Sequence, residues 1–220
     1  MVAVLVEPIQ GEGGVRPLDR HYLQGLRDLC EQNQWLLMFD EVQTGNGRCG
    51  STYVCEQLEI KPDVLLTAKG LGNGLPIGVC MARGEAAQLL GPGDHGSTYG
   101  GNPLCCAAAI AVLTSLRDDH IMQRASIVRE VLLTALHQTI AQPDLITEVR
   151  GSGLMIGIQP SVATKEIVQR GLDRGLLINV AGGDTIRVLP PLVMTDEQAG
   201  ELGAGIANII NDIAEQENAL

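Results

Sequence analysis

Three short apolar runs each stop at a charged residue, with a helix-length stretch or a turn-rich loop before the next. VAVLV at residues 2–6 runs into Glu7, WLLMF at 35–39 into Asp40, and VLLTA at 64–68 into Lys69. Runs of this length suit strands buried on both faces, as in a parallel sheet. Between the first two, Asp19 is placed to cap a helix that carries Leu23, Leu26, Leu29 and Cys30 on one face. Strands alternating with helices imply an α/β architecture with a mostly parallel sheet. Sheets of this kind gather ligands at the carboxyl ends of their strands, where Glu7, Asp40 and Lys69 all fall.

The pattern changes along the chain. TGNGRCGS is a turn-rich loop, and GEGGVRP and GLGNGLPIG read as loops, the last followed by a strand at VCMA. Asn102 as cap and Pro103 at the first helical position open a long helix through LCCAAAIAVLTSL. Beyond about residue 120 come a helix at 121–140, strand and turn in EVRGSGLMIGIQ, a helix at 164–174, short strands in LLINVAG and TIRVLP, and a closing helix after Thr195. This second half reads as a small α+β domain, so the expected division is 1–119 and 120–220. The chain enters its first strand almost at once. First residues usually fray, so a fragment, or a chain lacking a partner segment, is the expectation.

Charge and composition remove several function classes. The formal net charge is −11, which repels a phosphate backbone and argues against nucleic acid as a partner. No apolar run approaches the roughly 20 residues of a membrane span, and no leader pattern points to export. The six cysteines form no CxxC pair and the four histidines are scattered, so no metal site is expected. Reduced thiols in a cytoplasmic protein fit this usage.

Lys69 ends an apolar strand and precedes glycines at 70, 72 and 74. Desolvation there would lower its pKa and favour the neutral amine, a nucleophile toward aldehydes. The plainer alternative is a lysine reaching from a strand end into solvent. The glycines lack the G-x-G-x-x-G spacing, which removes a dinucleotide reading. Asp40 can hold a positive charge such as a protonated pyridine nitrogen, or serve as a turn residue. Glu41 beside it reads as structural. Together, an amine and a carboxylate at one sheet edge are the groups pyridoxal phosphate needs most. Ser97 and Thr98 in HGSTYGGN can donate to a phosphate, or sit in an ordinary glycine turn. Arg187 in TIRVLPP suits bidentate binding of a carboxylate, or a structural ion pair.

VEPIQGEGG, FDEVQTGNGRCG, LTAKGLGNGLPIG, HGSTYGGNPL and IRVLPPLV occur in order and at matching spacing. Over nearly its whole length the chain thereby resembles the class III aminotransferases, specifically their acetylornithine and ornithine group. The resemblance implies the type I fold of pyridoxal-phosphate-dependent transferases: part of the large, mostly parallel-sheet domain followed by the small α+β domain. It implies that Lys69 binds the cofactor covalently and shuttles the substrate proton. Asp40 would partner the pyridine nitrogen, Val42 pack on the ring and Gln43 bond its phenolic oxygen. Thr98 would reach the phosphate of a neighbouring subunit's cofactor, with Ser97 near substrate. Arg187 would clamp the substrate α-carboxylate and Glu12 pair with it as substrates alternate. The implied reaction moves an amino group from N-acetylornithine, or a close relative, to 2-oxoglutarate, giving glutamate in arginine biosynthesis by a homodimer.

Asn73 and Cys49 stand where the family usually has glycine and threonine. The family's amino-terminal portion, with its phosphate cup, ring-stacking aromatic and further substrate arginine, has no counterpart among these motifs. Weak cofactor binding and poor turnover by these 220 residues alone are therefore expected. Two readings follow. One is an aminotransferase, complete only with a missing half. The other is an inactive remnant that associates with a full-length relative. The motifs leave the donor open among acetylornithine, succinylornithine, ornithine and 4-aminobutyrate, with the GEGG and PPLV forms leaning to acetylornithine.

Overall fold

A computed structural model describes residues 2–219. The chain divides into two compact units, Met1–Pro8 with Leu18–His120, and Ile9–Pro17 with Ile121–Leu220.

In the first unit, β1 (Ala3–Val6) precedes helix α1 (Arg20–Asn33). Asp19 caps α1, its carboxylate accepting from the backbone N–H of His21 and Tyr22. The remaining elements are β4 (Leu36–Asp40), α2 (Val54–Leu58), β5 (Val64–Thr67), β6 (Val79–Ala82) and α3 (Pro103–Asp118). The sheet order is β1-β4-β5-β6, with the first two pairings parallel and β5–β6 antiparallel. Alternation along β4 sends Leu37 and Phe39 to one face, where they pack with Leu23 and Cys30 of α1 and with Ile60. Asn102 caps α3 through its side chain, accepting from Cys105 N–H at 3.0 Å, with Pro103 at the first turn.

Three local expectations need correction. VAVLV is not covered on both faces: β1 lies at the sheet edge and Leu5 is 58% exposed. Leu29 is exposed, because α1 turns only Leu23, Arg27 and Cys30 fully inward. GLGNGLPIG opens with a 3₁₀ turn, Lys69–Gly72, packed against α3.

The second unit contains the hairpin β2 (Ile9–Gln10) and β3 (Arg16–Pro17), which GEGGVRP conceals in sequence. This is why the division differs from a single cut at 119/120. Residues 9–17 pair with each other, and Val15 is wholly buried against Gly157 and Gly151 of this unit. The unit continues with α4 (Ile121–Thr139), β7 (Ile146–Ser152), β8 (Met155–Pro160), α5 (Ile167–Asp173), β9 (Asn179–Ala181), β10 (Thr185–Val188) and α6 (Asp196–Asn218). The antiparallel sheet runs β7-β8-β10-β9. Ile156, Ile158, Ile186 and Val188 share a core with Val128, Leu132 and Leu136 of α4 and Ile206, Ile209 and Ile210 of α6. At Gly203 of α6 a Cβ would lie 2.1 Å from the Leu132 carbonyl oxygen, so only glycine permits so close a helix–helix approach. Thr195 starts α6 with a capping box, its hydroxyl accepting from Gln198 N–H while the Gln198 side chain accepts from Thr195 N–H.

Candidate active site

The parallel register aligns Asp40, the last residue of β4, with Leu66 of β5, three residues before Lys69. A carboxylate and a primary amine thus leave the carboxyl ends of neighbouring strands. Asp40 Oδ1 accepts from Val42 N–H at 3.0 Å, a tight local turn that fixes the carboxylate as the chain leaves the sheet. Val42 and Gln43 follow, both half-buried.

Glu41 points the other way. It is fully buried, and it accepts from the Thr44 hydroxyl at 2.9 Å and from the N–H groups of Val54 and Cys55 at 2.6 and 2.9 Å. Burial pushes its pKa up, against the lowering effect of these donors. The side chain therefore ties residues 41–44 to the start of α2. At Gly45 a Cβ would meet Glu41 O at 2.8 Å and the Tyr53 ring at 2.9 Å, which excludes any other residue.

Asn46 completes the arrangement, and sequence reasoning missed it. Its buried amide donates to Thr67 Oγ1 at 2.8 Å and to Ala68 O at 3.1 Å, so it grips the two residues before Lys69. The only sequence signal is an asparagine between two glycines, a turn residue by habit. Lys69 itself has φ +46, left-handed backbone that a non-glycine residue adopts at a cost of about 1–3 kcal/mol. Lys69 is exposed: it stands two residues beyond β5, which ends at Thr67, on the 3₁₀ turn.

Ser97 and Thr98 lie within residues 91–100, all exposed. The Ser97 hydroxyl accepts from Gly100 N–H at 3.0 Å and shapes a turn there.

In the second unit, Arg187 Nη1 donates to Glu12 Oε1 at 2.6 Å. The arginine side chain is 10% exposed and the glutamate 74%. Asn179 faces Arg187 across the β9–β10 pair. With its amide oxygen turned to the guanidinium, it accepts from Nη2 at 3.0 Å and donates to Arg187 O at 3.0 Å. The backbone of Glu12 is held as well, Gly182 N–H donating to its carbonyl at 3.0 Å. Among the described residues, no group of three or more His, Cys, Asp or Glu side chains is arranged to hold a metal, and no helix is long and apolar enough to cross a membrane.

The first unit is an α/β unit with an amine and a carboxylate at adjacent strand ends, and the second an α+β unit carrying an arginine–glutamate pair. The chain belongs to the class III aminotransferases: the model of the family Aminotransferase class-III matches residues 1–210. The family is one of pyridoxal-phosphate-dependent enzymes. The chain is 42% identical over 217 residues to acetylornithine aminotransferase 1 of Bordetella pertussis, covering 99% of this chain and 55% of that protein. With acetylornithine aminotransferase of Clostridium acetobutylicum it shares 45% identity over 197 residues, 89% of this chain and 51% of that one. Among solved structures, N-acetylornithine aminotransferase from Stenotrophomonas maltophilia superposes with a TM-score of 0.87 at 34% identity, covering 100% of this chain and 58% of that one. An ornithine aminotransferase from Toxoplasma gondii, described as having partial occupancy of PLP at its active site, gives 0.90 at 35% identity, covering 98% and 52%. The chain thus spans about half the length of the curated relatives it matches.

Proposed function

We propose that this chain carries the carboxyl-terminal share of an acetylornithine-type aminotransferase active site, which moves an amino group from N-acetylornithine or a close relative to 2-oxoglutarate. The observation that supports it most is the pairing of Asp40 and Lys69 at neighbouring strand ends, with Asn46 gripping the residues before Lys69. The donor set fits pyridoxal phosphate: an accessible primary amine for its aldehyde and a fixed carboxylate for its ring nitrogen. When bound, the cofactor supplies an electron sink for the substrate's carbon–hydrogen bond electrons.

The chain's own residues divide the remaining work. Lys69 binds the cofactor and afterwards takes and returns the substrate proton at its Nζ. Asp40 holds a proton on the ring nitrogen. Val42 packs on the ring face and Gln43 donates to the phenolic oxygen. Ser97 and Thr98 are assigned to substrate and to the phosphate of a second subunit's cofactor, which suits their exposure. Arg187 binds a carboxylate. Glu12 is mostly exposed and able to swing aside at little cost, so the pair supports a site that opens Arg187 for one substrate and neutralises it for the other. In this reading the first unit belongs to the large cofactor domain and the second is the small domain. The working enzyme is a cytoplasmic homodimer, a location that suits six free thiols.

A second reading, an inactive association module, draws on the apolar surface of the first unit. Leu104 and Ile110 of α3 and Tyr99 before it are 68%, 65% and 82% exposed. One experiment separates the two. The purified chain is mixed with pyridoxal phosphate, reduced with borohydride and digested, and the Lys69 peptide is weighed, with Lys69→Ala as control. A reduced adduct on Lys69 supports the aminotransferase reading. No adduct, or equal labelling of the control, sinks it for the chain alone; an adduct that is still missing when the amino-terminal half is supplied favours the association module.

A further inference from the structure

One guanidinium joins the two segments that carry Glu12 and Arg187. Strand alternation in the second unit puts Ile156, Ile158, Ile186 and Val188 on the helix-covered face, and Arg150, Gly157, Thr185 and Arg187 on the other. On that second face Arg150 is only 8% exposed. Its Nε donates to Gly14 O at 2.9 Å and its Nη2 to Thr185 Oγ1 at 2.6 Å. Its Nη1 donates to Glu148 Oε2 at 2.7 Å and to Gln159 Oε1 at 2.8 Å. Thr185 passes the constraint on, its hydroxyl donating to Asp184 Oδ1 at 2.6 Å.

The two distant anchors are the informative ones. Gly14 follows Glu12 by two residues, and Thr185 precedes Arg187 by two on the same strand face. Gly14 has φ +99, and a Cβ there would sit 3.1 Å from Thr185 Oγ1 and 3.3 Å from Arg150 Nη2. Bare backbone is what lets the guanidinium reach the loop carbonyl. A buried cation is a poor choice for stability alone, since a well-packed apolar side chain often serves as well or better. What an arginine adds is direction, with several donors fixed in one plane.

We infer that Arg150 is a positioning residue for the Glu12–Arg187 pair. It holds the Glu12 loop and strand β10 in the one register that lets carboxylate meet guanidinium, and it touches no substrate itself. The inference rests on the proposed role of Arg187 in binding substrate carboxylates.

The test is the ¹⁵N Nε–Hε signal of Arg187 in the full 220-residue chain, assigned with Arg187→Lys. Glu12→Gln marks where the signal lies when the ion pair is broken. Arg150→Met is expected to move it to that position, and Thr185→Val to move it part of the way. Leu136→Ala, a destabilising change on the helix-covered face, is expected to leave it in place. A wild-type Arg187 signal in folded Arg150→Met overturns the inference. Should that variant not fold, Thr185→Val decides in the same way: a shifted signal supports positioning and an unshifted one overturns it. Titration with glutarate reports separately on the role of Arg187. If glutarate moves no Arg187 signal even in Glu12→Gln, the carboxylate-binding reading fails, whatever Arg150 does.

Discussion

The two units solve the same problem, burying a four-stranded sheet, to very different degrees. The second unit covers one sheet face with α4 and α6 and closes the other with the 9–17 hairpin, so that Ile156, Ile158 and Ile186 are all wholly buried. The first unit buries Leu37 and Phe39 beneath α1, but its edge strands carry exposed residues such as Leu5 and Met81, and α3 leaves Leu104 and Ile110 in solvent. The amine and carboxylate lie in the less enclosed unit, and the Glu12–Arg187 pair, a largely buried guanidinium with an exposed carboxylate, lies in the other. Positioning and accessibility are divided between the units: in the second Arg187 is largely buried and bonded to Glu12 and Asn179, while in the first Lys69 is exposed.

The second unit is most vulnerable at the α4–α6 contact. Gly203→Val places side-chain carbon against the Leu132 carbonyl, 2.1 Å from even a first carbon, with no soft neighbour to yield. A loss beyond about 4 kcal/mol is expected, enough to remove the cooperative thermal transition of the second unit by circular dichroism. A normal melt would show that the helices can part cheaply. Next in size is Asn46→Ala. It removes two donors to Thr67 and Ala68 and is expected to cost about 1–3 kcal/mol in urea denaturation and to lower borohydride trapping on Lys69. Unchanged trapping would mean that the loop does not position the lysine.

Titration gives a smaller effect. Burial foremost, with nearby Glu41, pushes the Cys55 thiol from 9.0 up to about 12. The unfolded chain then releases this proton before the folded one does, so stability is fully present below about pH 9 and is lost as pH rises toward 12. Cys55→Ala is expected to flatten that alkaline decline in denaturation midpoints between pH 8 and about 11. An equally steep decline would place its origin elsewhere. The smallest change in stability is expected of Ile110→Glu, within about 0.5 kcal/mol because the side chain is already in solvent. The same variant should reduce self-association in sedimentation velocity if the α3 face is a contact surface, and no change there would count against that use.

The apolar runs and caps were legible because they are local. Asp19, Asn102 and Thr195 each cap the helix that their position announces. The candidate residues Asp40 and Lys69 were legible for the same reason, as polar ends of apolar runs. Arg150 and Asn46 were not, because what matters about each is a partner far away in sequence, Gly14 and Thr185 for one and Thr67 for the other. The hairpin in GEGGVRP was hidden too, since strands of two residues carry no periodicity to read.

The α/β succession, the capped helix starts, the family and the candidate residues for its chemistry were readable from the sequence, all properties of short windows or of motifs in order. Tertiary structure alone decided which unit residues 9–17 join, that Lys69 is exposed on left-handed backbone beyond its strand, and that one buried arginine spans the segments bearing Glu12 and Arg187. The physical reason is that burial and hydrogen-bond partnership depend on which segments meet in space, and a strand's two-residue period says which side chains share a face but not what that face will meet.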